Sequence, residues 1–231
     1  MRSNRVRHLL LAMVAVFALG AVAAASASAH EFIVPCHKVL AMNVPESQWE
    51  NAECTKKLVG GGFDTRLLES EIEPAENTSG PSTLEGVGLV AIKCEKDVSK
   101  DTLESRGDTT GNVKFTECKV VGAATCKVKE PIEFTFNDEL TVFKGEPGEI
   151  FEPVEGKLFV AITITGCSVE GKYEVTGKQQ CELPEATVAK AEHEVVCTPA
   201  GSELKLKTAE AKFTSTEKVK LTSGKNWSVK F

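Results

Sequence analysis

The chain has 231 residues, 27 Lys and Arg against 33 Asp and Glu for a formal net charge of −6, and 42% hydrophobic but only 6% aromatic residues. This balance argues against nucleic acid or an anionic membrane as a partner and leaves few rings for stacking on sugars. The length supports one large β domain, or one domain with a smaller appendage, around a sizeable core.

Met1 to Ala29 carries Arg2, Arg5 and Arg7, an apolar core from Leu9 to about Ala25 and the small-residue end Ala27-Ser28-Ala29. This pattern is that of a secretory signal peptide. His30 follows it and Cys36 stands outside any lipobox, so neither a lipid anchor nor a membrane anchor is expected. The protein is read as exported, extracellular or associated with the cell envelope, where a glycan or another protein would be its partner.

Residues 30–80 read as a small disulfide-closed β unit containing Trp49, the Gly60-Gly61-Gly62 run and an acidic stretch from Glu69 to Glu76. Asn77 to Ser82 reads as turn and linker, with a boundary near residue 80. Asn77-Thr78-Ser79 and Asn226-Trp227-Ser228 are glycosylation sequons. Residues 81–231 form the main domain. Val87 to Cys94, Asn112 to Val120 and Ile132 to Phe136 are its first strand candidates, with Asn137-Asp138 placed to turn the last into Leu140 to Phe143.

Gly156 to Cys167 is the longest run of β-branched and apolar residues after the leader. It reads as a central strand covered on both faces, Leu158, Val160, Ile162 and Ile164 on one and Phe159, Ala161, Thr163, Thr165 and Cys167 on the other. Lys172 to Gly177 follows, then a helical turn within Pro184 to Ala191, then a strand from His193 to Thr198. Four short strands end the chain, around Leu204 and Leu206, around Ala209 to Phe213, around Val219 and Leu221, and around Trp227 to Phe231. Short strands, many turns and almost no helix signal point to an all-β fold, an antiparallel β-sandwich or barrel.

The eight cysteines are Cys36, Cys54, Cys94, Cys118, Cys126, Cys167, Cys181 and Cys197. An even number in an exported chain reads as four disulfides, and no Cys-x-x-Cys spacing supports zinc. The strand positions suggest Cys36 with Cys54, Cys118 with Cys126, Cys94 with Cys167 and Cys181 with Cys197.

The chain resembles a family of uncharacterised, disulfide-rich secreted β proteins of soil actinobacteria. The likeness runs through Cys36 with Trp49-Glu50-Asn51 and Cys54-Thr55, Ser82-Thr83-Leu84, Ile92-Lys93-Cys94-Glu95 and Val113-Lys114-Phe115 with Cys118. It continues through Val175-Thr176-Gly177, Cys181, Leu183-Pro184, His193, Cys197-Thr198, Gly201-Ser202-Glu203-Leu204, Gly224 and Trp227. The resemblance implies secretion and a β fold and no particular activity. Relatives carry a glycine-punctuated turn after the third cysteine, where this chain has the charged stretch Asp97 to Asp108.

No nucleophile elbow, zincin helix, phosphate loop or dinucleotide fingerprint is present. Asp97, Ser99, Asp101, Leu103, Ser105 and Asp108 fall at calcium-loop positions, but Thr102 stands where the loop needs glycine and Asp108 where it needs a bidentate Glu. The stretch reads as a solvated acidic loop. A leader cleaved after Ala29 would expose His30, whose amine and imidazole could form a copper brace with His37 or His193. His30 reads instead as incidental and His193 as a hydrogen-bonded core residue. The sequence therefore points to a non-catalytic, disulfide-stabilised structural or binding module without cofactor. The alternative is an extracellular enzyme, a copper-dependent oxidase or a carbohydrate hydrolase.

Overall fold

The computed structural model describes residues 31–33, 36–38, 49–51, 56–65, 72–104 and 107–230. All regular elements among them are strands: β1 (Glu31–Ile33), β2 (Cys36–Lys38), β3 (Phe63–Thr65), β4 (Ile72–Ser79), β5 (Ser82–Gly86), β6 (Ala91–Glu104), β7 (Asp108–Val120) and β8 (Lys127–Val128). The second half adds β9 (Ile132–Phe143), β10 (Glu146–Pro153), β11 (Leu158–Thr165), β12 (Gly171–Thr176), β13 (Gln179–Glu182), β14 (Glu192–Ser202), β15 (Leu204–Leu206), β16 (Ala209–Leu221) and β17 (Ser228–Lys230).

Eight of these strands close on themselves in the order β4-β6-β7-β9-β10-β13-β14-β16, with β16 returning to β4. The fold is thus a closed antiparallel barrel, whose closure removes the free edges of an open sheet. Past Gly80 and Pro81, β5 takes over from β4 between β6 and β16. From the same end of β16 a branch runs through β15, β12 and β11 to β8. It lies over the barrel end and encloses the larger apolar core. In the N-terminal part β2 pairs with β3, Trp49 bridges Lys57 and Phe63, and β1 pairs with β17.

Three long strands show how the interior is tiered. Along β6 the buried side chains run Ile92, Cys94, then Asp97, Ser99, Asp101, then Leu103. Along β9 they run Ile132, Phe136, then Asp138, then Leu140. Along β16, Ala211 and Phe213 precede Ser215 and Glu217, and Val219 and Leu221 follow. The first group of each strand joins one apolar core and the last group a second one built around Leu183, Val195 and Trp227. A polar belt therefore crosses the barrel between two apolar masses. Outward positions carry charge, and Lys114–Glu133 at 2.9 Å and Lys218–Glu192 at 3.1 Å pair neighbouring strands. Such exposed pairs contribute a few tenths of a kcal/mol each, about 0.2–1 at most.

The belt accounts for several departures from the sequence reading. Asp97 to Glu104 is strand, not a solvated loop, and Asp97 and Asp101 are buried. An extended segment cannot wrap an ion, so the calcium-loop spacing is coincidental. Asn137-Asp138 lies inside the continuous β9, and the turn falls instead at Lys144-Gly145, whose positive φ values of 55° and 86° suit a two-residue hairpin. The second and third segments of the expected C-terminal series, Ala209 to Phe213 and Val219 to Leu221, are one strand, β16. Asn77 to Ser79 is strand rather than linker, and the Asn77 side chain is buried, donating from Nδ2 to Asp101 Oδ2 at 2.5 Å. That sequon is closed to modification in the folded chain.

The Gly156 to Cys167 run is the penultimate strand of the branch, not a central one. Its register slips between Leu158 and Val160, so Phe159, Ile162 and Ile164 are buried while Leu158 and Ala161 are exposed. A bulge thus merges the two faces that strict alternation would separate.

Three disulfides brace these elements. Cys181–Cys197 joins facing positions of β13 and β14, as expected. Cys94 pairs with Cys118, its direct neighbour across β6 and β7, and Cys126 pairs with Cys167 beside β8 and β11. These two replace the expected Cys94–Cys167 and Cys118–Cys126 pairings, because hairpin register brings Cys94 and Cys118 to a Cα separation of 3.9 Å. The Cys36–Cys54 pairing lies outside the described residues. Among the described residues no helix is long and apolar enough to cross a membrane, and three disulfides fit an oxidising compartment.

Candidate functional site

The larger core is incompletely filled. A chamber of about 90 Å³ lies among Phe115, Phe134, Phe136, Phe151, Phe159 and Phe213. Aliphatic side chains of β5, β6, β7, β9, β11, β12 and β15 complete the wall, so every barrel strand but β4 contributes to it, together with β5 and with β11, β12 and β15 of the branch. The rings meet one another mainly by their edges, Phe134 against Phe159 at 5.2 Å and Phe136 against Phe151 at 5.2 Å between centroids. Phe134, Phe151 and Phe213 are only partly buried, and each of them lines the chamber.

Polar lining is confined to Ser82, Gln179 and Glu217. Glu217 sits where β16 passes from the chamber into the polar belt, and Val195 of β14 is its strand partner. The side chain retains some accessible surface on the chamber wall. Burial, and then the charges of Asp97 and Asp101, push its carboxyl up to about 8. Gln179 is buried and donates from Nε2 to the carbonyls of Gln180 at 2.7 Å and Thr198 at 3.2 Å.

Four further carboxyls lie in the belt. Burial raises Asp97 and Asp101 to about 6, and burial with the Asp101 charge raises Asp138 to about 8. Glu149 is held well above the usual carboxylate range by burial and then by Asp138, Asp101 and Glu217. Asp101 Oδ2 accepts from Asn77 and, at 2.9 Å, from Ser99. Among the described residues no Lys or Arg pairs with any of the five acids, and no group of three His, Cys, Asp or Glu side chains is arranged to hold a metal. A carboxyl without a counter-ion in such surroundings keeps its proton until well above its ordinary pKa.

No family model, curated protein or solved structure matches this chain. The site must be read from its own chemistry.

Of the copper-brace candidates, His193 is buried, its Nε2 donating to the Trp227 carbonyl at 2.7 Å and its ring set edge-on to Trp227. It is a core histidine, far from forming a ligand set, and burial lowers its pKa. His30 and the His37 side chain lie outside the described residues. Sequence reasoning passes over Gln179, Glu149 and Glu217 and takes Asp138 for a turn residue. The available signal was the unbroken alternate spacing of Ala211, Phe213, Ser215, Glu217, Val219 and Leu221, in which two polar residues occupy inward positions.

Proposed function

We propose that the protein is a secreted, non-catalytic binding module that receives a small apolar molecule in the phenylalanine-lined chamber. The observation that carries the reading is the chamber itself, a space of about 90 Å³ inside a disulfide-braced core, walled by six aromatic rings. Interiors are ordinarily packed to crystal density, and a void of this kind forfeits dispersion contacts that a ligand would restore. The architecture is compatible with the reading, since eight-stranded barrels either fill with side chains or hold one small ligand. Among the described residues the exposed large apolar side chains are all Leu or Val, so the aromatic surface is inside rather than on an outer platform for glycans. The leader and the disulfides support export.

Toluene is a suitable first probe. Monitored by thermal unfolding, a tenfold excess over its Kd stabilises by about 1.4 kcal/mol, or about 3–6 °C for a chain of this size. Phe159→Trp fills the chamber from β11 and should abolish that shift while leaving the unliganded Tm within a few degrees. An unchanged toluene response in the variant, or no response in the parent, overturns the reading.

A further inference from the structure

The polar end of the chamber is one-sided in its hydrogen-bond chemistry. Gln179 is 4% exposed, and because its Nε2 donates to two backbone carbonyls, the amide cannot be reversed without setting oxygen against oxygen. Its Oε1 is left with no donor. Glu217 receives a long contact from the Ser215 hydroxyl, 3.4 Å, and a hydrogen bond from the Asn77 amide. Beyond it, Asp97, Asp138 and Asp101 each present at least one buried oxygen without a partner. Once Glu217 is ionised, the wall thus offers acceptors and negative charge, and no Lys or Arg among the described residues pairs with it. Buried acceptors left unpaired are costly, and a ligand carrying N–H donors removes that cost on binding.

We infer that the chamber takes a small organic amine, its ammonium donating to Gln179 Oε1 and the Glu217 carboxylate and its hydrocarbon part lying among Phe115, Phe134, Phe136 and Phe159. This rests on the chamber being a ligand site. Size limits the class. Since roughly 10–15 Å³ of such space holds one water, 90 Å³ accommodates on the order of six to eight non-hydrogen atoms, a single ring or a short branched chain bearing one amine. An anion of the same shape meets Glu217 and the belt behind it, and is excluded by like charge.

The test compares benzylamine, toluene and benzoate by calorimetry and thermal unfolding on the whole oxidised protein. It is run at about pH 8.5, where an alkylamine is cationic and a carboxyl titrating near 8 is largely ionised. The expected order is benzylamine tighter than toluene by about tenfold or more, with benzoate not detected. Glu217→Gln, which keeps the side-chain shape, should bring benzylamine down to the affinity of toluene without changing toluene. Equal affinities in the parent, a preference that survives Glu217→Gln, or measurable benzoate binding would sink the amine assignment while leaving the chamber a ligand site. Failure of all three probes removes the ligand-site reading and the amine with it.

Discussion

Replacing Asp101 by Asn should make the protein more stable at pH 8 and change little at pH 4. Asp101 is buried in the belt, where its carboxyl titrates at about 6 against an ordinary value of 3.8. Between these values the folded chain holds a proton that the unfolded chain has released. Stability is therefore full below about pH 4 and falls as the pH rises through 6. At about 1.36 kcal/mol per pH unit, the loss from this one group reaches about 3 kcal/mol at most by pH 8. The amide fits the same contacts: its oxygen can accept from Asn77 and Ser99 as Oδ2 does, and its NH2 occupies the place of Oδ1, which has no partner. Removing the charge also relieves Asp138, Glu149 and Glu217, whose carboxyls it pushes up. Urea unfolding of Asp101→Asn and parent at pH 4, 6 and 8 with unchanged m-values is the assay; the gain at pH 8 corresponds to about 6–12 °C in Tm. A parent stability that rises from pH 4 to 8, or a variant equally destabilised at all three values, would refute the account.

Gly111 of β7 leaves no room for a side chain, since a Cβ would lie 2.2 Å from Asp101 Oδ1 and 2.5 Å from the Phe136 ring. Gly111→Ala should cost at least about 2 kcal/mol in urea unfolding, and a neutral result would mean that β6 and β9 yield easily there. Converting Cys126 and Cys167 together to Ala opens a link between residues 41 apart in sequence and should lower stability by about 4 kcal/mol on loop-entropy grounds; a loss below about 1 kcal/mol would show that the branch is held by its core alone. The His193 imidazole, buried with its pKa lowered, should show an NMR titration midpoint below 6.5. Stability from this group is full above that ordinary value and is lost as the pH falls from it through the lowered folded value. A midpoint at or above 6.5 would contradict a neutral, Nε2-protonated ring.

The all-β class and the positions of most strands were legible because outward charge and inward aliphatic residues alternate along them. The barrel was harder to see than the strands. Alternation assumes that inward means apolar, yet Asp97, Asp138 and Glu217 point inward, so the pattern places Asp97 in a loop and Asp138 in a turn and leaves Glu217 between two short strands. The same residues hid the site, since Glu217 on a strand of alternating lysines looks like one more surface charge. The expected Cys94–Cys167 and Cys118–Cys126 pairings failed for a related reason. Once β6 was cut short at Cys94, its hairpin with β7 disappeared, and with it the register that places Cys94 opposite Cys118. The slip in β11 could not be read at all, because β-branched residues fill both faces of that run and carry no mark of where the register shifts.

Because β6, β9 and β16 each anchor one end in the chamber-bearing core and the other in the core around Trp227, the barrel has no seam between them. Loosening either mass pulls on three strands that the other mass holds. The two cores therefore stand or fall together, and whatever fills one of them tightens a structure that extends to the opposite end of the barrel.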